Sequence, residues 1–397
     1  MTTPAGAASV ATKPGPGTTG GKAAQPAPAA PWPFPVGVYE SDVQDYDQQV
    51  TQTTSAQQMP LWNLSPTGWL RGVWFDFTMT VTGQSTNNVS YAGDNPFSVV
   101  QKCTLYDLGG EVVQQYTGYD WMAMNKFGGY HNVGDPRADI TYSATTGTGS
   151  TGGSFHFTLF LPLEVVARDS LGTVQNESKP GWKVEIYIDS QANTYNQVPS
   201  VQGVLRLRGY PSSYTEPAAA APSGRAFAQT PPLPGTLQYI KSESNTIAAG
   251  NSRYDLTNGI GFPIRSIIYK LVDTTTPTRA AGDADWPDPY QLLLGNVQLR
   301  NIGKNRYLTK LGRDFGLTSA TADTALGREN GVFPQYFFLD FTLKPGSEVR
   351  MKYLDTQVNT LLRLTGSFGA SCTLSAQVNW LATPSKNRYA LIAGSGA

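Results

Sequence analysis

The side chains able to do acid–base or nucleophilic chemistry are few in this sequence, and they stand apart from one another. Of the two histidines, His131 lies in a glycine-rich loop, and His156 alternates with Phe155 and Phe157 as in a strand. A catalytic histidine needs a nucleophile or a second acid–base group within reach. The sequence has no GxSxG elbow, no HExxH zinc motif and no GxxxxGK[ST] phosphate loop. We therefore predict that the protein has no catalytic residue and is not an enzyme.

Two groups of aspartates have the oxygen density of a cation-binding loop. The denser group is Asp283, Asp285 and Asp288, and the sparser group is Asp42, Asp45 and Asp47. The denser group lacks the downstream glycine and bidentate glutamate of an EF-hand. Because aspartates in loops commonly cap turns, we interpret both groups as solvated carboxylates and expect no cofactor. Calcium binding by the denser group remains the alternative.

Loop aromatics and cysteines leave two further alternatives open. Trp62, Trp286 and Tyr290 would form a sugar-stacking platform if exposed, although such rings more often pack under loops or at subunit contacts. Cys103 and Cys372 fall one in each half, with no CxxC spacing and no histidine pair nearby. We predict buried free thiols; a disulfide between the halves would need an oxidising compartment.

The composition favours a protein that associates with other proteins. Charged residues make up 15% of the 397 residues, compared with about 25% in ordinary soluble domains, and the formal net charge is zero. No overall field therefore attracts nucleic acid or an anionic membrane, and an uncharged monomer tends to associate. The sequence has no signal-peptide pattern and no run of about 18 apolar residues, so we expect a soluble protein made in a cytoplasm.

Alternating apolar and polar residues predict strands over most of the chain. A period of two marks a strand with one buried face. The pattern is clearest over 73–82, 183–189, 267–271, 337–343 and 374–380. One helix is predicted over Tyr119–Phe127, ending at a pair of glycines.

The order of the predicted elements occurs twice. A turn at 109–110 is followed by a Phe-Gly stop and the aromatic strand 155–162. Later, a turn near Gly303 is followed by a second Phe-Gly stop, at 315–316, and the aromatic strand 337–345. Such a repeat indicates two copies of one unit. We predict an all-β protein of two tandem eight-stranded jelly rolls, a double jelly roll, with a disordered N-terminal arm.

Composition also predicts where the units begin and end. The N-terminal stretch is mostly Ala, Pro, Gly and Thr and has too few apolar residues to join a core. Its last part, PWPFP at 31–35, is either a linker or a docking anchor with two aromatic rings. The predicted limits are a flexible N-terminal arm at 1–36, a first jelly roll at 37–216, a Pro/Ala-rich linker at 217–234, a second jelly roll at 235–385 and a C-terminal tail at 386–397.

Several segments of the first half resemble a known family. They are NPFSVVQKCTLYD (95–107), FTLFLPL (157–163), DSLGTV (169–174) and SKPGWKVEI (178–186). An aromatic strand ending in Pro-Leu, a loop with a Gly-x-Val core and a lysine-bearing strand resemble the first roll of the double jelly-roll major capsid proteins of tailless, membrane-containing bacterial viruses, the tectivirus group. The second half is similar by pattern.

This resemblance implies a structural protein, the major capsid protein of a virion. It would form a homotrimer whose six similar lobes fill hexagonal positions in an icosahedral shell around an internal membrane. Its partners would be other copies of itself, neighbouring capsomers, penton or minor capsid proteins, and the membrane through the N-terminal arm, without direct contact to nucleic acid. Assembly in the host cytoplasm would place it in the virion capsid.

Two other functions remain open on the sequence alone. Paired jelly rolls also occur in carbohydrate-binding and glycan-cleaving proteins, which would need a secretion signal, paired catalytic carboxylates or a complete calcium loop. A minor capsid or spike component would differ from a major one in copy number and position.

Overall fold

The residues that the structure describes form strands that pair in four sheets, as the all-β prediction requires. The structure is a computed structural model that describes residues 29–83, 86–92, 96–128, 130, 142–177, 181–273, 286–303, 305–307, 309–310, 336–340, 353–359 and 361–382. In chain order the strands are β1 (Glu40–Asp42), β2 (Tyr46–Thr51), β3 (Gln57–Gln58), β4 (Trp62–Asn63), β5 (Gly68–Thr80), β6 (Ser90–Tyr91), β7 (Val100–Tyr106), β8 (Val112–Tyr116), β9 (Tyr142–Ala144), β10 (Phe155–Pro162), β11 (Val174–Asn176), β12 (Lys183–Ile188), β13 (Tyr195–Gln197), β14 (Val204–Tyr214), β15 (Leu237–Ile247), β16 (Gly250–Leu256), β17 (Pro263–Asp273), β18 (Tyr290–Leu294), β19 (Val297–Ile302), β20 (Tyr336–Asp340), β21 (Leu354–Asp355), β22 (Leu362–Phe368) and β23 (Cys372–Ala382). Helix α1 (Gly118–Gly128) lies where the sequence predicts it, and α2 (Gln191–Thr194) is a single turn. No helix within the described ranges is long and apolar enough to cross a membrane.

Strand order shows that the two halves share one architecture. In the first half β2, β14, β5 and β10 pair side by side, and in the second half β15, β23, β17 and β20 do the same. The other sheets are β3, β12, β7 and β8 in the first half and β16, β22, β18 and β19 in the second. If these strands are counted from one to eight within each half, both halves have the sheets 1-8-3-6 and 2-7-4-5. This is the strand order of a jelly roll, so the predicted double jelly roll is confirmed.

One detail of the predicted repeat is wrong. The second-half hairpin does not turn at Gly303: β19 is its second strand, and the turn lies at Gly295, whose φ of +57° suits glycine. Gly303 instead precedes a helical turn, since the Tyr307 N–H donates to its carbonyl at 3.2 Å. The hairpin β7–β8, which turns at Gly110, is likewise followed by helix α1. The second Phe-Gly stop, at 315–316, lies outside the described residues.

A single ten-stranded sheet runs through both rolls. The two rolls meet in the middle of this sheet, where β8 of the first roll pairs with β15 of the second roll through Gln114 and Ile240. This is the only parallel pairing between the strands that the structure describes. Backbone hydrogen bonds therefore join the two rolls directly, in addition to the covalent linker.

The predicted apolar strand faces form the core. Val73, Phe75 and Phe77 alternate along β5 and are fully buried. The two sheets of the first roll are closed at one end by α1, whose Trp121 ring packs edge-on against Phe75 at 4.8 Å and donates its indole N–H to the Phe160 carbonyl at 2.7 Å. Because rings of this size bury a large apolar area, they are a major source of stability for each roll.

The end of the predicted flexible arm is part of the folded body. Phe34 is only 2% exposed and packs against Trp69 and Tyr214. Trp32 pairs with Phe227 of the linker segment through backbone hydrogen bonds. Of the two interpretations of PWPFP, the docking anchor is the one that the structure shows, and the assignment of 31–36 to a flexible arm is corrected. Residues 1–28 lie outside the described residues.

Candidate functional site

His156 is not isolated, contrary to the expectation from the sequence. Its Nε2 lies 2.6 Å from Oδ1 of Asp76 on the neighbouring strand, and Arg208 Nη1 lies 3.5 Å from the same carboxylate. The imidazole is 42% exposed. Because the third member of this cluster is a cation rather than a nucleophile, the geometry is that of surface ion pairs and not of a catalytic triad. His131 lies outside the described residues.

The aspartates near the start of the first roll do not converge on one point. Asp45 accepts hydrogen bonds from the Trp62 indole and from the Ser65 backbone, both at 2.9 Å. Asp47 accepts a hydrogen bond from Arg206 Nε at 2.7 Å, and this bond holds the pKa of Asp47 below its usual value. Carboxylates with separate partners do not form a cation cage.

Of the denser aspartate group, Asp283 and Asp285 lie outside the described residues, and Asp288 lies two residues before the start of β18. Within the ranges that the structure covers, no three His, Cys, Asp or Glu side chains come close enough to hold a metal ion.

The aromatic and cysteine residues play structural roles. Trp62, Trp286 and Tyr290 are buried, so their faces are not available to stack on a sugar. Cys103 and Cys372 are buried free thiols, as predicted, and the alternative of a disulfide is ruled out in this structure. Burial raises the pKa of the Cys103 thiol, which makes it a poor nucleophile.

The notable concentration of buried polar side chains lies at the seam, the contact between β8 of the first roll and β15, β17 and β23 of the second. Gln114 and Gln238 both donate to the Pro162 carbonyl, at 2.6 and 2.9 Å. Gln238 Oε1 in turn accepts hydrogen bonds from Asn379, at 3.0 Å, and from Arg265. Buried polar groups are costly unless paired, so this network favours one relative placement of the rolls.

An ion pair crosses the seam beside this network. Lys270 Nζ on β17 lies 2.7 Å from Oδ1 of Asp120, in the first turn of α1. The two side chains are 13% and 8% exposed. The Thr117 hydroxyl donates to the other carboxylate oxygen at 2.7 Å. The contact fastens the helix of one roll to a sheet of the other.

A cavity of about 280 Å³ opens next to the seam, and we call it the seam cavity. Its lining includes Asp42, Arg71, Trp74, Phe160, Glu164, Val165 and Ala167. Arg71 donates to Glu164 Oε2 from Nε at 3.0 Å and from Nη2 at 2.9 Å, and it also pairs with Glu40. Burial raises the pKa of Glu164, and the neighbouring guanidinium opposes that shift.

The comparison with known proteins was made for sequence and for structure. The sequence matches no protein-family model, and a search of curated proteins found no match. Solved structures do match. The major capsid protein of STIV, the Sulfolobus turreted icosahedral virus, aligns over 89% of this chain and 99% of its own, with a TM-score of 0.56 and 11% identity. The major capsid protein of bacteriophage PM2 aligns over 88% of this chain and 99% of its own, with a TM-score of 0.50 and 13% identity.

A structure of VP54 of PBCV-1, fitted into a reconstruction of the virophage Sputnik, aligns over 87% of this chain and 93% of its own. Its TM-score is 0.53 and its identity 12%. These alignments are longer than either roll, so they include both rolls together. The chain has the double jelly-roll fold of viral major capsid proteins.

Among the described residues the seam is the main group of buried polar side chains, and sequence reasoning did not find it. A signal was present: Gln238 and Arg265 interrupt otherwise apolar runs, in LQYI and PIRSII. A single polar residue inside an apolar run indicates a buried group with a specific partner. The residues that Gln238 contacts across the seam, Gln114 and Pro162, belong to the first roll. Local sequence patterns do not show that these distant residues meet.

Two carboxylates, those of Glu216 and Glu177, lie close together in the first roll. Burial, and then the hydrogen bond with Glu177, raise the pKa of Glu216 to about 7. A folded pKa above the unfolded value of about 4.3 stabilises the fold fully below pH ~4, and this contribution is lost as the pH rises through 7.

Glu216→Gln is therefore expected to raise the melting temperature at pH 8 and to leave it nearly unchanged at pH 4, because burial and the contact with Glu177 disfavour the Glu216 side chain only when it is ionised. Thermal unfolding at the two pH values measures this. Glu177→Gln serves as the comparison and should raise the melting temperature at pH 8 less than Glu216→Gln does, because it removes the neighbouring charge but leaves Glu216 in its place. An equal effect of Glu216→Gln at both pH values would contradict the interpretation.

Proposed function

We propose that the chain is the major capsid protein of a virus, with a structural and not a catalytic role. The observation that carries the proposal is that the fold similarity extends over both rolls and nearly the full length of two viral major capsid proteins. Asp45, Asp47 and His156 support it, because each has a structural partner and the three do not converge on a substrate site. The buried loop aromatics argue against the carbohydrate-binding alternative.

In this role the protein forms a homotrimer. Two rolls of equal strand order in each chain supply six similar lobes in three chains, so a threefold assembly fills hexagonal positions in an icosahedral shell. The seam supports this use, since a fixed angle between the rolls gives every capsomer the same outline. Low charge and zero net charge favour broad protein contacts.

The further parts of the proposal follow from the capsid role. Residues 37–216 and 235–385 are the two rolls, joined by the linker 217–234 and followed by the tail 386–397, and the flexible arm ends before the docked segment 31–36. The partners are neighbouring capsomers, penton or minor capsid proteins and an internal membrane reached by the arm, without direct binding to nucleic acid. Assembly takes place in the host cytoplasm, and the protein then resides in the virion.

The molar mass in solution tests the trimer. Light scattering of the purified protein at micromolar concentration is expected to give three times the chain mass of 42.8 kDa. Large self-complementary interfaces would keep the trimer intact on dilution. A mass of one chain at that concentration would overturn the proposed function.

A further inference from the structure

The seam cavity lies where the described part of the chain leaves the second roll. The last described residues, Leu381 and Ala382, end β23. Leu381 packs against Val165 and Val166 of the first roll, and Val165 also lines the seam cavity. Arg265 donates to the Val165 carbonyl at 3.2 Å, which holds this corner in place. The chain beyond Ala382 therefore starts one side chain away from the cavity.

The seam cavity carries an excess of negative charge. Asp42 and Glu164 line it, and Glu40 lies on the outer side of Arg71. Three carboxylates against two guanidiniums, Arg71 and Arg265, leave an excess of one negative charge. Within the described residues, Asp42 has no ion-pair partner. A cation placed here would meet carboxylates that the two guanidiniums do not fully neutralise.

The opposite wall of the seam cavity is aromatic. The rings of Trp74 and Phe160 lie 4.5 Å apart between centroids, and Tyr130 packs on Phe160 at 5.2 Å. Trp74 is only half-buried. An occupant with cationic and apolar side chains close together would therefore match both walls.

The segment that follows Ala382 has this combination. Residues 383–397 contain Lys386 and Arg388, no acidic residue, and then the apolar run Tyr389, Ala390, Leu391 and Ile392. Lys386 stands four residues after Ala382 and can reach about 13 Å from it in an extended chain. This length suffices to enter a cavity that Val165 itself lines.

We propose that the C-terminal segment 383–397 docks into the seam cavity of its own chain, with Lys386 and Arg388 against the carboxylates and the following apolar run on the Trp74–Phe160 wall. The docked segment would cover the seam from outside and add a second fastening between the rolls. A cation beside Glu164 would also offset the cost of burying that carboxylate, whose pKa burial raises. The proposal does not depend on the capsid role.

Disulfide capture in the full-length protein tests the proposal. Ala167 is exposed at the rim of the seam cavity, and Asn387 stands between the two cations. The pair Ala167→Cys and Asn387→Cys is expected to form an intrachain disulfide rapidly under mild oxidation, seen as a mobility shift on a non-reducing gel. Cys103 and Cys372 are buried and give a low background. The matched control pairs Asn387→Cys with Asn251→Cys, which is exposed on β16 of the second roll.

The outcomes separate the possible occupants. A disulfide in the test pair and not in the control supports docking, and adding Lys386→Glu and Arg388→Glu should slow its formation several-fold. Disulfides between chains would overturn docking within one chain and assign the cavity to the tail of a neighbour. Equal rates in the test and control pairs, or no disulfide at all, would overturn the proposal entirely.

Discussion

Lys270→Met is expected to destabilise the protein by about 3–5 kcal/mol, because it leaves the buried Asp120 carboxylate without its cation. The hydrogen bond from Thr117 would remain, but the Thr117 hydroxyl carries no positive charge. The lost interaction crosses the seam, so its removal weakens the attachment of the second roll to the first. The free energy of unfolding from chemical denaturation, compared with that of the unchanged protein, measures the effect.

Two variants show whether burial causes this loss. Arg363→Met breaks the ion pair with Asp255, whose carboxylate lies 2.6 Å from Arg363 Nε and is 38% exposed, so it should cost at most about 1 kcal/mol. The double variant Asp120→Asn with Lys270→Met should recover much of the stability, because no buried charge then remains unpaired. If Lys270→Met cost no more than Arg363→Met, the ion pair would not be a fastening between the rolls.

Phe34→Ala is expected to release the segment before β1 from the body. The Phe34 ring packs edge-on against Trp69 at 5.4 Å and Tyr214 at 6.0 Å. Truncation of a buried phenylalanine costs about 3 kcal/mol or more, which corresponds to about a hundredfold increase in local opening. Chymotrypsin cleavage at the exposed Tyr39 measures that opening, and its rate should rise by a similar factor.

A matched variant lies two residues away. Val36 is 59% exposed, so Val36→Ala removes a side chain from the same segment without removing a buried contact. Its cleavage rate should stay near that of the unchanged protein. Equal rates for Phe34→Ala and Val36→Ala would show that the segment is not anchored by the ring.

The sequence predicted well what local pattern determines. Alternation along β5 and β12 identifies buried faces because a strand places every second side chain on the same side. Helix α1 was predictable because an apolar segment ends in two glycines. The prediction of a hairpin turn at Gly303 was wrong, because a glycine alone does not distinguish a hairpin turn from the start of a helical turn. The hairpin turn lies at Gly295.

The features that sequence reasoning missed depend on contacts between distant segments. Phe34 is buried because Trp69 and Tyr214 come from two strands far along the chain. His156 gained a partner because register places β10 beside β5, which carries Asp76. The seam exists because β8 pairs in parallel with β15, a choice that neither strand's own pattern specifies.

Electron microscopy of the purified protein tests the central claim most directly. An averaged image of the particle shows how many chains it contains and whether each chain forms two lobes. We predict particles of threefold symmetry with a nearly hexagonal outline made of six lobes, two from each double jelly roll. Particles made of a single chain with two lobes, or assemblies without a threefold axis, would contradict the claim that this protein is a capsid building block.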